Sequence, residues 1–362
     1  MQDDAAGGGA MRGQIKKGYV RPLDLKRGRV DLGHGGGGRA MGQLVDEMFA
    51  AAFANEYLAQ GDDGAVLPAP GAGERLVLAT DAHVVSPLFF PGGDIGCLSV
   101  HGTVNDVAMM GARPLYLAAA FVLEEGFPLA DLARIVQSMA AASRDAGVPV
   151  VTGDTKVVEQ GKGDGVFITT TGVGALSPGR DISGRGARPG DVVLVSGTLG
   201  DHGTAILSQR EALGFETEIV SDTAALHRLV ENLLVAVPDV RVLRDPTRGG
   251  LATTLNELAR QSAVGMLLRE AAIPVHPQVN AACELLGLDP LYVANEGKLV
   301  CICAKPDAAR LLEVMRAHPL GRGASIIGEV VEDSHGFVQM ETGFGGSRVV
   351  DWLTGEQLPR IC

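Results

Sequence analysis

Residues 128–156 have the sequence PLADLARIVQSMAAASRDAGVPVVTGDTK, in which a helical pattern gives way to an extended one. Apolar side chains recur at three- and four-residue spacing across residues 128–146, which predicts an amphipathic helix. The stripe consists of Leu129, Leu132, Val136 and Met139. Gly147 predicts the end of this helix, because glycine readily adopts the left-handed conformation that closes one. The pattern at residues 148–151 predicts a strand, and residues 152–156 follow at its end.

The same alternation of helix and strand extends on both sides of this segment. Residues 39–55 predict a helix, and residues 75–79 predict a strand that delivers Thr80 and Asp81 at its end. Residues 94–110 predict a helix that Asp94 caps and Gly111 stops. In the second half, residues 192–195 and 299–303 are apolar runs that predict buried strands. The pattern predicts an α+β fold with mixed layers of helix and sheet.

The length of 362 residues suggests two domains. Residues 177–191 are rich in Gly, Pro and Arg, which is typical of a connection between two compact units. We therefore predict an unstructured leader at residues 1–29 and an N-terminal domain at residues 30–180. A C-terminal domain at residues 187–350 and a mobile tail at residues 351–362 follow.

The overall composition argues against several classes of protein. A formal net charge of −12 argues against a nucleic-acid partner, because neutralising phosphates requires a basic surface. The chain has no run approaching ~18 consecutive apolar residues, so we predict no membrane span. The first 30 residues lack the apolar core of a secretory signal, and we therefore expect a cytoplasmic location.

The five cysteines include no CxxC pair. A disulfide framework is implausible at this length without a secretion signal. Four cysteines fall in predicted helices or in a predicted strand, where we expect structural roles: Cys97, Cys283, Cys301 and Cys303. A CxC metal site at the last two is an open alternative. Cys362 is the final residue, where we expect packing to offer it little.

No GxxxxGK[ST] motif occurs, so a P-loop nucleotide site is not expected. Residues 33–38 (GHGGGG) formally match GxGxxG and leave dinucleotide binding as a weak alternative. Acidic residues recur instead at predicted turns and strand ends: Asp62, Asp63, Asp81, Asp106 and Asp154. Carboxylates of this kind bind Mg²⁺ and bridge it to nucleotide phosphates, which Lys156 could also reach. Each aspartate alone could equally cap a helix or form a turn.

Five short motifs occur in an order that resembles the aminoimidazole ribonucleotide synthetase, or PurM-like, superfamily. They are residues 61–66 (GDDGAV), 80–81 (TD), 105–114 (NDVAMMGARP), 153–156 (GDTK) and 245–251 (DPTRGGL). The resemblance extends from about residue 30 to residue 362. It implies a two-domain fold with an N-terminal ATP-binding domain, whose sheet pairs across a homodimer. It also implies a Mg–ATP site that aspartates form at the dimer interface.

Four further motifs resemble one branch of that superfamily, the carbamoyl dehydratases of hydrogenase maturation. They are residues 86–96 (SPLFFPGGDIG), 153–158 (GDTKVV), 294–299 (ANEGKL) and 359–362 (PRIC). The terminal cysteine is the most specific feature. Selenophosphate synthetases instead carry a reactive cysteine or selenocysteine near an N-terminal glycine-rich loop, where this chain has His34.

The resemblance implies a role for individual residues and for partners. Cys362 would receive a carbamoyl group from the carbamoyltransferase HypF, and ATP would drive its dehydration to a thiocyanate. The HypC–HypD complex would then accept the cyanide for the iron of [NiFe]-hydrogenase. Glu296 is the implied base, with Lys156 beside it for charge stabilisation. The implied nucleotide-binding residues are Asp63, Thr80, Asp81, Asn105, Asp106, Asp154, Lys156 and Asp245, of which Asp63, Asp81, Asp106 and Asp154 would bind Mg²⁺.

Other interpretations remain open on sequence alone. A carboxylate beside an ammonium group is commonly a plain ion pair, so Glu296 and Lys156 need not be catalytic. His34 and His101 are expected to be structural. Another ATP-dependent enzyme of the superfamily, such as a selenophosphate synthetase or a small-molecule kinase, is one alternative function. A non-catalytic scaffold for metallocentre assembly is a second, from a different class.

Overall fold

The computed structural model describes residues 22–35, 39–60, 64–65, 67–211, 219–353 and 360–362. The first half begins with a helical segment in three parts, Arg39–Leu44 (α1), a π-helical stretch Val45–Ala50, and Ala51–Phe53 (α2). Two long helices follow, Ile95–Met109 (α3) and Leu129–Ala146 (α4). The strands are Arg75–His83 (β1), Phe89–Phe90 (β2), Gly93–Asp94 (β3), Arg113–Glu124 (β4), Val150–Val158 (β5) and Val166–Leu176 (β6).

Four of these strands form the first sheet, in the order β1-β6-β4-β5. β4 and β5 are parallel and α4 connects them, whereas β6 runs antiparallel to both β1 and β4. α3 packs on one face of the sheet and α4 packs on α3. A buried apolar core fills this layer, and it includes Leu98, Leu123, Leu132, Ile135 and Ile168. The other face of the sheet carries exposed side chains.

The ends of the two long helices follow from local chemistry. The Asp94 carboxylate accepts hydrogen bonds from the backbone N–H groups of Gly96 and Cys97, which otherwise have no partner in the first turn of α3. Gly111, just past the last turn, has φ +74°. α4 ends at Gly147, which has φ +70° and left-handed geometry, as the sequence predicts.

Two strands are longer than their sequence pattern indicates. β1 continues through Thr80 and Asp81 to His83, and β5 continues from Val150 through Lys156 to Val158. The prediction that the TD and GDTK motifs lie beyond strand ends is therefore wrong. Pairing with β6 and with β4 supplies the backbone hydrogen bonds that polar residues would otherwise seek in turns. The predicted helix at residues 39–55 is also interrupted by its π-helical stretch.

The second half contains the helices Asp201–Arg210 (α5), His227–Ala236 (α6), Gly250–Ser262 (α7), Pro277–Leu286 (α8) and Ala308–Ala317 (α9). Its strands are Asp191–Val195 (β7), Val242–Arg244 (β8), Gly265–Arg269 (β9), Val300–Ala304 (β10), Ser325–Val331 (β11), Val338–Glu341 (β12) and Ser347–Val349 (β13). Short 3₁₀ helices are Leu32–Gly35, Leu58–Gln60, Glu270–Ala272, Pro290–Tyr292, Lys305–Asp307 and Pro319–Gly321.

The seven strands form a sheet in the order β13-β12-β9-β11-β7-β10-β8. The two predicted apolar strands, β7 and β10, are buried neighbours near its centre, and Cys301 and Cys303 are buried within β10. α6 and α9 pack on one face with Leu194 and Cys301, whereas α7 packs on the other with Val193 and Ile302. Helices therefore cover both faces of the second sheet.

One core joins the two halves. Ala108 and Met109, at the C-terminal end of α3, pack with Leu194 and Leu226 of the second half. The end of α3, which carries Asn105 and Asp106, is thereby held between the two sheets. Among the described helices, none has both the length and the apolar character needed to cross a bilayer.

The capping contacts of Asp94 lead to a stability prediction. Replacing Asp94 with Ala leaves two N–H groups in the first turn of α3 without their acceptor. We expect Asp94→Ala to lower the free energy of unfolding by roughly 1–2 kcal/mol, as measured by urea denaturation. Glu313→Ala, which removes an exposed carboxylate from α9, should change it by less than about 0.5 kcal/mol. Equal effects of the two substitutions would contradict the capping role.

Candidate active site

The last three residues of the chain dock against the segment that follows β1. The N–H of Val84 donates to a terminal carboxylate oxygen of Cys362 (3.1 Å), and the N–H of Ser86 donates to the carbonyl of Arg360 (3.1 Å). Val85 and Ile361 thus form an antiparallel bridge. The expectation that packing offers Cys362 little is wrong, because strand-like pairing holds the terminus inside the molecule.

Side chains reinforce this docking. Ile361 is buried in the first core together with Val85, Phe90 and Ile206. The guanidinium group of Arg210 donates to the carbonyls of both Ser86 (2.6 Å) and Arg360 (2.9 Å), so it links the two paired segments. The Arg360 side chain forms an ion pair with Asp164. Cys362 is consequently half-buried, although it is the last residue.

Glu296 lies beside the Cys362 thiol and is only 4% exposed. Its Oε1 is buried and has no hydrogen-bond partner among the described residues. Burial, and then the neighbouring carboxylates beginning with Asp245, raise the pKa of Glu296 well above its usual range. Burial and then the nearby Glu296 also raise the pKa of the Cys362 thiol. A buried carboxyl group therefore lies beside the terminal sulfur.

The backbone of Glu296 is fixed from both sides. Its N–H donates to Asp222 Oδ1 (3.0 Å), and its carbonyl accepts from the side-chain amide of Asn105 (3.3 Å). Asn105 is buried, and its amide also bonds the carbonyl of Ala224 (3.0 Å) and the N–H of Leu226 (2.7 Å). These hydrogen bonds hold both the Glu296 loop and residues 224–226 against α3. The nucleotide-binding role that the resemblance implies for Asn105 stays a prediction.

Three aspartates share the space next to Glu296, in a cleft between β1, α3 and β8. Burial, and then the negative charges of Asp245 and Asp81, raise the pKa of Asp106 to about 7. Burial raises the pKa of Asp245 to about 6, and Asp81 contributes in the same direction. The aspartates thus repel one another in a partly desolvated space.

The adjoining cavity has a volume of about 500 Å³ and both signs of charge on its walls. Asp106 and Asp245 line it together with Arg244, Arg248 and Thr80. The Thr80 hydroxyl lies 2.9 Å from that of Thr171 and donates to the carbonyl of Thr170. Arginines beside carboxylates can hold a polyphosphate and its cation together. The donors therefore fit a Mg–nucleotide, although no group of three or more ligands among the described residues is already spaced for a metal ion.

Asp154 and Lys156 lie at the opposite edge of the first sheet. Asp81 pairs with Thr170, Thr170 with Ala119, and Ala119 with Gly153, so three inter-strand steps separate the two edges. At ~4.8 Å per step this is roughly 14 Å. Asp154 therefore cannot share one ion with Asp81 and Asp106 of the same chain, and the predicted set of four metal ligands, implied at a dimer interface, stays a prediction. Asp63, the remaining member of that set, lies outside the described residues.

Lys156 does not contact Glu296 within the chain, and the implied place of Lys156 beside Glu296 stays a prediction. Its Nζ bonds both oxygens of Asp154 (2.8 and 2.7 Å), and this interaction lowers the pKa of Asp154. Both side chains are more than half exposed, on the face of the sheet that α3 does not cover. A second cavity, of about 360 Å³, opens near Asp154 between β5 and the first helical segment.

Three histidines occupy the surroundings of the site. His34 is buried and accepts from the N–H of Asp31 (3.0 Å), and His101 Nδ1 lies 3.0 Å from the Thr223 hydroxyl. These contacts match the structural roles expected of both. His83 is buried, and its Nε2 lies 3.3 Å from Asp81 Oδ2 without hydrogen-bond geometry. Burial lowers the pKa of His83, so the ring is neutral next to the aspartates.

The sequence reasoning missed Asp222 and Lys298. Lys298 Nζ lies 3.0 Å from Asp222 Oδ2 and 3.7 Å from Asp201 Oδ2, and all three side chains are largely buried. Lys298 is part of the ANEGKL motif, only two residues after Glu296, so the sequence could have indicated it as a site residue. No local pattern marks Asp222, which is 74 residues away from Glu296 in the chain.

Comparison with known proteins places this fold and site in a class. Two family models match, "AIR synthase related protein, N-terminal domain" at residues 61–176 and the corresponding C-terminal domain at residues 188–341. The chain is 73% identical to the carbamoyl dehydratase HypE of Cupriavidus necator over 352 residues, covering 97% of this chain and 100% of that protein.

Solved structures agree with this assignment. The chain is similar to a crystal structure of the hydrogenase maturation protein HypE in complex with ATP, at 51% identity and a TM-score of 0.88. The match covers 92% of this chain and 99% of that one. It also resembles a crystal structure of a HypE–HypF complex, at 50% identity and a TM-score of 0.75, covering 86% and 99% respectively.

The chain therefore belongs to the AIR synthase related proteins, the PurM-like superfamily. Within them it belongs to the HypE family of carbamoyl dehydratases. The expected PurM-like α+β fold and the expected branch of the superfamily are both confirmed. The chain shares the enzymatic function of this family in hydrogenase maturation.

The aspartate cluster predicts how stability depends on pH. Asp106 and Asp245 have pKa values of about 7 and about 6 in the folded chain, so the fold binds more protons than the unfolded chain does. The free energy of unfolding should therefore fall as pH rises from about 4 to about 7, by at most ~1.4 kcal/mol per pH unit for each proton. Urea denaturation without nucleotide or metal measures this slope.

Asp106→Asn should flatten the slope, because an amide does not titrate. Asp239→Asn, at an exposed turn after α6, is the matched control and should leave the slope unchanged. A slope in Asp106→Asn as steep as in the native chain would show that the cluster is not the cause.

Proposed function

We propose that the enzyme uses ATP to dehydrate a carbamoyl group carried on the sulfur of Cys362, and that the product is a thiocyanate on the same sulfur. The observation that carries this proposal is the buried Glu296 carboxyl group, which lies beside the terminal thiol and whose Oε1 has no hydrogen-bond partner among the described residues. The cyanide would become a ligand of the iron in [NiFe]-hydrogenase. The relatives named as carbamoyl dehydratases support the reaction, and the ATP complex of a similar HypE supports the nucleotide.

The chemistry requires activation of the carbamoyl oxygen, which is a poor leaving group. That oxygen attacks the γ-phosphorus of ATP, ADP leaves, and the nitrogen gives up one proton. Glu296 then removes the second nitrogen proton while phosphate leaves, and carbon and nitrogen become joined by a triple bond. The products are a thiocyanate, ADP and phosphate, and the carbamoyl group has lost the elements of water. Glu296 must be ionised to act, and a nearby cation would favour that form.

The cleft beside Glu296 is where we place the phosphates. Arg244 and Arg248 would bind phosphate oxygens, and Asp81, Asp106 and Asp245 would hold the accompanying cation. Mg²⁺, when bound, would neutralise the developing charge of phosphoryl transfer. Thr80, on the same wall, can still offer its hydroxyl oxygen to the nucleotide.

We further propose that the enzyme is a homodimer. One face of the first sheet carries the exposed side chains of Leu76, Leu78, Asp154 and Lys156. If two such faces pack about a two-fold axis parallel to the strands, the β5 edge of one copy lies over the β1 edge of the other. Asp154 and Lys156 would then complete the nucleotide site of the second copy, which explains why a single chain does not bring them to Asp81.

The partners follow from the chemistry of the terminal cysteine. The chain has to be loaded by a carbamoyl donor, and the similar HypE–HypF complex supports HypF as that donor. A HypC–HypD complex would accept the cyanide. Because Cys362 is docked beside Glu296, its thiol must leave the cleft for both exchanges. A cytoplasmic location remains a prediction.

Replacing Glu296 with Gln tests the base. Glu296→Gln keeps the shape of the side chain but cannot accept the proton. The variant should take up carbamoyl on Cys362 normally, and its dehydration rate should fall by at least 10²-fold. Intact mass and peptide mapping after incubation with HypF, carbamoyl phosphate and ATP measure both steps. Glu284→Gln, at an exposed position of α8, is the control. Thiocyanate formation by Glu296→Gln at the native rate would assign the base to another residue.

Leu78→Asp tests the dimer. Burying a leucine contributes ~1.5–3 kcal/mol, and a two-fold interface contains it twice, so the substitution should weaken association by more than ~10²-fold. Leu285→Asp is a matched control, because Leu78 and Leu285 are both 70% exposed in the single chain. Analytical ultracentrifugation should show a dimer for the native chain and the control, and a monomer without ATP turnover for Leu78→Asp. A fully active native monomer would refute the interface.

A further inference from the structure

His202 links the C-terminal tail to the second half of the molecule. It is the second residue of α5 and is completely buried. Its Nε2 lies 2.7 Å from the carbonyl oxygen of Ile361, and its Nδ1 lies 2.7 Å from the hydroxyl of Ser221. The ring meets Phe90 edge-on, with 5.4 Å between centroids and an interplanar angle of 89°. The imidazole is thus fixed by Ile361, Ser221 and Phe90, and Ile361 directly precedes the terminal cysteine.

The hydrogen bonds define the proton positions on this ring. A carbonyl oxygen only accepts, so His202 Nε2 carries the proton and donates to Ile361. Nδ1 is then the acceptor, and the Ser221 hydroxyl donates to it. Burial lowers the pKa of His202, which keeps the ring neutral as this arrangement requires. The Ser221 oxygen itself accepts from the N–H of Thr223 (3.2 Å). The hydrogen bonds therefore form a chain with one donor direction, from the Thr223 N–H through Ser221 and His202 to the carbonyl of Ile361.

The segment of residues 221–223 also contacts Glu296. Asp222, between Ser221 and Thr223, accepts from the N–H of Glu296 (3.0 Å) and from Lys298 Nζ (3.0 Å). The segment is itself anchored, since the N–H of Ser221 donates to the carbonyl of Pro91 (2.8 Å). One short segment thus fixes both the residue before the thiol and the residue that carries the carboxyl group.

We propose that His202 and Ser221 are positioning residues, which dock the carbonyl of Ile361 so that the group on the Cys362 sulfur is aligned with Glu296. Neither side chain touches the reacting atoms. This inference rests on the proposed function, because alignment matters only if Glu296 acts on the Cys362 adduct. It assigns two separate roles to neighbouring residues, with Ser221 acting on the tail and Asp222 acting on the base.

Alkylation of Cys362 by iodoacetamide, without any substrate, measures docking alone. Peptide mapping distinguishes Cys362 from the other four cysteines. His202→Ala removes the donor to Ile361, and we expect about tenfold faster alkylation of Cys362. His202→Gln can still donate an N–H and should recover most of the protection. Ser221→Ala leaves the ring without its donor and should give an intermediate rate. His335→Gln, in an exposed turn, is the control with native protection.

The second measurement separates loading from dehydration. With HypF, carbamoyl phosphate and ATP, His202→Ala should load carbamoyl at the native rate, because loading takes place with the tail undocked. Its dehydration step should be about tenfold slower, and His202→Gln should restore it. A purely structural role would slow both steps together or lower the melting temperature of every His202 variant.

Two results would overturn the inference. One is native protection of Cys362 in both His202→Ala and Ser221→Ala. The other is equal loss of loading and dehydration in variants that remain folded. Failure of the proposed function is a different result, in which the native chain loads carbamoyl but never forms thiocyanate. The alkylation rates would then still decide whether His202 holds the tail, and a catalytic reason for docking would be refuted.

Discussion

The pairing of residues 84–86 with residues 360–362 is the contact on which the arrangement of the site depends. β1 runs along the edge of the first sheet and leads directly into the segment where the terminus docks. Each backbone hydrogen bond contributes about 0.5–1.5 kcal/mol net, and burial of Ile361 adds ~1.5–3 kcal/mol. Ordering the tail costs about 1–2 kcal/mol per residue, which offsets much of that gain. A docked state close to this balance would suit the proposed function, in which Cys362 leaves the cleft to meet a donor and then returns.

Repulsion between carboxylates is the second constraint on the site, next to the docked terminus. Glu296 and three aspartates share a partly buried space, where burial and the neighbouring negative charges raise the pKa values of Glu296, Asp106 and Asp245. Such a cluster is unfavourable when fully ionised, and a bound cation relieves the repulsion. Lys298 is nearby but already contacts Asp222 and Asp201. Lys156 bonds Asp154 at the far edge of the sheet. Among the described residues of one chain, neither of these lysines is available to neutralise the cluster, which is why we proposed a nucleotide-bound cation and a second copy of the chain.

Local sequence patterns predicted those features that depend on neighbouring residues. The end of α4 at Gly147 and the cap of α3 at Asp94 follow from the backbone preferences of single residues. The burial of β10 follows from its continuous apolar run. The same patterns misplaced Asp81 and Asp154, because polar residues were expected at strand ends. Pairing with a distant strand extended both β1 and β5, and a local pattern contains no information about such pairing.

The sequence by itself determined the fold family, the ATP-dependent branch and the identity of Cys362 and Glu296 as residues of interest, since these depend on short motifs that remain intact along the chain. Only the tertiary structure decided which residues meet. Asp222 and His202 come to the site through contacts that span 74 and 159 residues, and Asn105 proved to be a support for the Glu296 loop. Folding also separated Asp81 from Asp154 by the width of a sheet. The physical reason is that a motif specifies the chemistry of its side chains, whereas strand order and packing specify the distances between them.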